Sequence, residues 1–217
     1  MLKVGLTGGI ASGKSVVGEM LVALGAHLVQ ADRIAHQLML PGQPVYNEVV
    51  RHFGGAILNP DLSVNRAKLA EAAFGPAASA GSSAHTSRIQ ELNRIVHPAV
   101  IRSQEEWMEE TGRQDHDAVA IVEAALIIEA GAAKRFDRLI VVTCSDEQRI
   151  ARFAARHKVD LNAARKEVER RMAAQLPEAE KAKVADYVID NCGSLEHTRE
   201  QVRQIWDKLR AEATTKR

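Results

Sequence analysis

Gly8, Gly13, Lys14 and Ser15 occupy the fixed positions of the pattern G-x-x-x-x-G-K-[ST], within Gly8-Gly9-Ile10-Ala11-Ser12-Gly13-Lys14-Ser15. These residue types suit the holding of phosphate. Glycines let the backbone turn tightly and aim N–H groups at anionic oxygens, while the start of a following helix adds partial positive charge. Lys14 can reach the β- and γ-phosphates of a nucleotide, and the Ser15 hydroxyl can ligate magnesium. The motif has the context its mechanism requires. An apolar strand runs from Leu2 to Thr7 before it, and Val16, Val17, Met20, Leu21 and Leu24 recur at helical spacing after it.

Other candidates stand alone. Asp32 lies where a strand over His27–Ala31 gives way to a helix beginning at Arg33. It reads equally as a residue near a γ-phosphate or as a helix cap. Glu129 ends the longest apolar run, Ala118 to Ile128, which Glu123 interrupts. A functional carboxylate and an exposed or capping one are both open there. Arg149, Arg152 and Arg156 share one helical face by their spacing of three and four. Such a row is commonly solvated, but after a strand of the same sheet it favours a phosphate clamp for at least one member. His97, read alone, is more often structural than a ligand.

The elements that must position these residues follow from periodicity. Further strands are predicted within the run Ala118–Ile128, where a covered central strand is followed by a turn, and at Arg138–Thr143 and Ala185–Asn191, with helices around Val45–Phe53, Arg66–Phe74, Asp160–Gln175 and from Leu195. A helix resumes at about Arg88, and His97-Pro98 is expected to distort or end it. Gly75 to Ser87, rich in Ala, Gly and Ser, reads as a loop or mobile linker. Five strands alternating with helices predict an α/β fold, a five-stranded parallel sheet with helices on both faces.

Composition narrows the function classes. The 217 residues are 46% hydrophobic, enough for a sizeable core. With 29 basic and 28 acidic residues the net charge is +1, which gives no support for nucleic-acid binding. No segment reads as a signal peptide or membrane span. Cys144 and Cys192 read as two reduced thiols. A soluble, cytoplasmic, globular protein is expected.

Taken together, several stretches resemble the dephospho-coenzyme A kinases. They are Leu6 through Ser15, Ala31-Asp32 with Ile34-Ala35-His36, Pro41-Gly42, Phe53-Gly54, His97-Pro98, Leu126 to Glu129, and Ala185-Asp186 through Asn191 with Gly193. The resemblance implies a kinase core at roughly 1–40, 115–148 and 184–212, a helical substrate-binding region at 41–114 and a lid at 149–183. It implies transfer of the γ-phosphoryl group of ATP, with Mg2+, to the ribose 3′-hydroxyl of dephospho-coenzyme A. Gly8, Gly9, Ala11, Ser12, Gly13, Lys14, Ser15 and Val16 would hold the ATP phosphates, joined by Arg152 and Arg156 from the lid. Asp32 would accept the hydroxyl proton, and Arg66, His97 and Glu129 would lie near the acceptor. Gln175 and Lys181 resemble the lid segment that follows. This chain departs from the family pattern at Gln30, where an acid is common, at Ala125, where a proline is usual, and at Val16, where threonine is frequent. The alternatives are another nucleoside or small-alcohol kinase of the same architecture, or a nucleotide-dependent switch. No guanine-reading Asn-Lys-x-Asp supports the latter.

Overall fold

The computed structural model describes residues 1–74 and 83–216. Among these, five strands form one parallel sheet in the order β2-β3-β1-β4-β5. The strands are β1 Leu2–Gly8, β2 His27–Gln30, β3 Val119–Glu123, β4 Arg138–Thr143 and β5 Tyr187–Asp190. The chain moves outward from β1 to β2, returns to β3, then crosses to β4 and β5 on the other side of β1. The C-terminal end of β1 is therefore a topological switch point, where open parallel sheets bind ligands, and the glycine-rich loop leaves the sheet there.

The sequence accounts for this arrangement. β1 and β3, flanked on both sides, are almost wholly buried and read as near-continuous apolar runs. Helix α1, Lys14–Ala23, and the last helix, α9, Leu195–Thr215, put Val17, Leu21, Val202, Trp206 and Leu209 into one core with Val4, Leu6, Ile121 and Ile140. Ile127 packs with Leu139 and Val141 in a second cluster. The remaining helices are α2 Ala31–Leu38, α3 Pro44–Phe53, α4 Arg66–Phe74, α5 Ser83–Gln114, α6 Asp146–His157, α7 Leu161–Ala173 and α8 Glu178–Lys183.

The chain divides into two compact units, one of residues 1–30 and 108–217, the other of residues 31–107. The first holds the sheet, α1 and α6 to α9. In the second, α3 presents Val45, Val49 and Phe53 as its buried positions.

Two expectations about α5 are corrected. The helix begins at Ser83, not Arg88, and continues through Pro98 without a break. Proline removes one donor, so the Arg94 carbonyl loses its helical partner, yet the buried positions Val96, Val100 and Met108 supply packing on both sides of it. Of the expected linker at 75–87, residues 75–82 lie outside the described residues and Ser83 onward is helical. A short helix, α8, follows Pro177 where the sequence reading placed none.

Candidate active site

The glycine-rich loop is built in the first unit. Gly13 precedes α1 with φ 96°, a left-handed conformation that disfavours a side chain. At Gly8 an added Cβ would meet the Val142 backbone carbonyl and come within 2.8 Å of the Ser12 hydroxyl. The helix start that follows has no side-chain cap and no acidic residue in its first turn. Its partial positive charge is left for an anion. Lys14 Nζ lies across the loop, donating to the carbonyls of Gly8 at 2.9 Å and Gly9 at 3.0 Å.

The outer side of the loop is gripped by residues from distant elements. The Ser12 carbonyl accepts from Asn191 Nδ2 at 2.8 Å and from Arg152 Nη1 at 3.3 Å. Asn191 is itself fixed, since its Oδ1 accepts from the Thr198 hydroxyl and its N–H donates to the Thr143 carbonyl. In a planar trans peptide the carbonyl and the following N–H point in opposite directions. Holding the Ser12 carbonyl outward therefore aims the Gly13 N–H inward.

The three arginines of α6 have three different fates. Arg149 is buried and ion-paired to Glu178. Arg152 donates to two carbonyls, of Ser12 and Asn191, and contacts Cys144 Sγ at 3.1 Å. Burial pushes the Cys144 thiol above its ordinary range, so the sulfur is neutral. Among the described residues Arg152 thus has no carboxylate partner, and its charge remains available beside the loop. Arg156 is exposed. A shared face was legible in the spacing; depth along it was not.

Glu123 is a candidate site residue that the sequence does not single out. It stands at the end of β3, 7% exposed, with Leu6 of β1 and Gln30 of β2 as its register neighbours. Its Oε1 accepts from the Ser15 hydroxyl at 2.8 Å and its Oε2 from Gln30 Nε2 at 2.9 Å. A buried carboxylate needs such donors. Gln30, the departure from the usual acid, is the amide donor that fits here, where a second carboxylate would repel Glu123. The signal available in the sequence was one charge inside an otherwise apolar strand.

Glu129 is also in this unit. Its Oε1 lies 2.7 Å from Lys181 Nζ and accepts from the Leu176 N–H at 3.2 Å. Lys181 is 1% exposed and Glu129 17%. A cavity of about 40 Å³ beside this pair is lined by Gly9, Gln175, Pro177 and Lys181 among others. Removing one member of a buried pair leaves an uncompensated charge. Lys181→Met is expected to lower unfolding stability by about 3 kcal/mol in urea titrations; an unchanged midpoint would show that the pair contributes nothing.

Asp32, Arg66 and His97 belong to the second unit. Asp32 is in the first turn of α2, Arg66 opens α4, and His97 lies within α5. All three side chains are exposed, and none has a side-chain partner among the described residues.

Residues 2–197 match the family described as dephospho-CoA kinase. The chain belongs to the dephospho-CoA kinase family. The curated dephospho-CoA kinase of Geobacter metallireducens is 41% identical over 95% of this chain and 96% of that protein. That of Corynebacterium jeikeium is 40% identical over 96% of this chain and all of its own length. Among solved structures, TT1252 from Thermus thermophilus is 30% identical with a TM-score of 0.76, covering 96% of this chain and 97% of that one. The enzyme is a transferase that uses ATP to phosphorylate dephospho-CoA in coenzyme A biosynthesis.

Proposed function

We propose that this enzyme transfers the γ-phosphoryl group of ATP to the ribose 3′-hydroxyl of dephospho-CoA, with Asp32 as proton acceptor and the loop Gly8–Ser15 as the phosphate cradle. The observation that carries the assignment of roles is the uncapped, acid-free start of α1 next to Lys14 and the Ser15–Glu123 pair. These groups offer donors and positive charge to phosphate and hard oxygens to a cation.

Ser15 Oγ and Glu123 Oε1 are the donors that suit Mg2+, which prefers oxygen ligands; bound there, Mg2+ would neutralise charge on the β- and γ-phosphate oxygens. The remaining work falls to the chain. Gly8, Gly9, Ala11, Ser12, Gly13 and Val16 supply or space the backbone of the cradle. Lys14, which lies across the loop, and Arg152, whose guanidinium among the described residues donates only to carbonyls and a thiol, would stabilise charge on the transferred group and its leaving oxygen. Arg156, exposed on the same helix, would join them when the lid at 149–183 closes and excludes water.

Asp32 follows Gln30 by two residues, and Gln30 bonds Glu123. This chain connection supports a place for Asp32 at the reacting end of the acceptor, where it would orient the hydroxyl and take its proton. Arg66, His97 and Glu129 would bind the acceptor. Of these, Glu129 already pairs with Lys181, so its contribution would be to place the lid segment Gln175–Lys181 beside the acceptor. We assign the work to the cytoplasm, where two free thiols are the ordinary state. Among the described residues no helix is long and apolar enough to cross a membrane.

The metal assignment is tested by Glu123→Gln. The concentration of Mg2+ giving half-maximal rate is expected to rise at least roughly 10–100-fold, because the carboxylate both offers an oxygen to the metal and orients the Ser15 hydroxyl beside it. An unchanged Mg2+ titration removes Glu123 from the metal site.

A further inference from the structure

Arg149 is a deeply buried cation against the loop, with 2% of its side chain exposed. Its three nitrogens serve three separate segments. Nε donates to the Cys144 carbonyl at 3.1 Å, just beyond β4. Nη1 donates to the Ile10 carbonyl, at the outer side of the phosphate loop, at 2.9 Å. Nη2 pairs with Glu178 in the first turn of α8, and Asp146 stands 3.6 Å from Nε. A guanidinium can be buried this far only if its charge is paired and its donors are used.

The loop needs what Arg149 supplies. Ala11 has φ 52°, a left-handed conformation that costs a residue with a side chain about 1–2 kcal/mol. Such conformations persist where surrounding contacts over-determine them. Ile10 and Ala11 share one peptide, so a carbonyl held by Arg149 aims the Ala11 N–H the opposite way. Gly9 completes the arrangement. It has no positive φ that would demand glycine, yet a Cβ there would strike Arg149 Nη1. The glycine at this variable position of the motif makes room for the guanidinium.

We infer that Arg149 is a positioning residue for ATP: it holds the Ile10–Ala11 peptide of the phosphate loop and, through Glu178, ties the loop's geometry to α8. Among the described residues Glu178 makes no hydrogen bond to the loop itself; its bond is to Arg149. Nucleotide affinity should nevertheless depend on it. The inference rests on the reading of this loop as the ATP site.

The test measures ATP affinity by calorimetry on folded protein, with melting temperature and the KM for dephospho-CoA recorded in parallel. Arg149→Met is expected to weaken ATP binding about tenfold to a hundredfold, the loss of hydrogen bonds to a charged group. Arg149→Lys, which keeps charge but cannot bridge three segments, should stay about tenfold weak. Glu178→Gln, on a partly exposed side chain and expected to fold, should weaken ATP by about threefold. The KM for dephospho-CoA should move less than about twofold in each, since the altered hydrogen bonds serve the donor site alone. Gly9→Ala supplies the decisive cycle. It should weaken ATP about tenfold when Arg149 is present but add under about twofold to Arg149→Met, because contacting residues are not additive. Additive effects, or variants that melt lower while binding ATP as the unmodified protein does, would overturn the inference. Failure of the unmodified protein to bind ATP would instead sink the nucleotide reading on which it rests.

Discussion

Asp32→Asn is expected to lower turnover by roughly 10²–10⁴-fold, the range for a positioned general base, while ATP binds as before. The side chain is exposed at the first turn of α2 and has no hydrogen-bond or ion-pair partner among the described residues, so it is not held in a structural role. Asparagine keeps the shape and one acceptor oxygen but cannot take a proton. The substitution leaves in place the loop contacts made by Lys14, Glu123, Arg149, Arg152 and Asn191, none of which involves Asp32. Steady-state rates alongside an ATP titration check both halves of the expectation. A near-normal rate would remove Asp32 as the base, and a large loss of ATP affinity would show that it serves the nucleotide instead.

Lys14→Met is expected to lower kcat by about 10²–10³-fold, comparable to removing one donor from a site of developing charge. It should differ from Asp32→Asn in kind. In the proposed role the lysine would touch the phosphates before the reaction as well as during it, so ATP affinity should fall together with the rate. Methionine preserves the length of the side chain and removes the ammonium. It also removes the two bonds by which Lys14 Nζ spans the Gly8 and Gly9 carbonyls. Measuring kcat, and ATP affinity independently of turnover, distinguishes the two substitutions. If Lys14→Met changed only KM for dephospho-CoA, the loop would not be the ATP site.

The parts of this molecule that were readable in the sequence are those specified locally. The strand before the loop, the glycines within it and the helix after it lie within a few residues of one another. The central strands β1, β3 and β4 showed through because buried parallel strands are short apolar runs bounded by turns, whereas the edge strands β2 and β5 are mostly not buried. The Ala185 to Asn191 stretch carried the family resemblance, and the structure gives it physical content. Asp186 accepts from the Leu139 N–H, Asp190 from the Cys192 N–H, and Asn191 holds the loop at Ser12.

What was not readable depended on partners far along the chain. Glu123 bonds Ser15 and Gln30, 108 and 93 residues away, so within its own strand it registered only as an interruption. The arginines of α6 were correctly placed on one face, but the paired Glu178 that distinguishes Arg149 from Arg152 lies 29 residues later, in a helix too short to leave a periodic signal. Pro98 misled for a related reason. A lost donor is a local effect, whereas the packing of Val96, Val100 and Met108 that carries α5 through it is set by the fold.

The most direct measurement is ATP consumption by the purified protein with Mg2+ in the presence of dephospho-CoA, adenosine, AMP or no acceptor, with the mass of each product determined. The account predicts the gain of one phosphoryl group on dephospho-CoA, at the 3′-position, and on no other acceptor. Binding of ATP with no phosphorylated dephospho-CoA would contradict it.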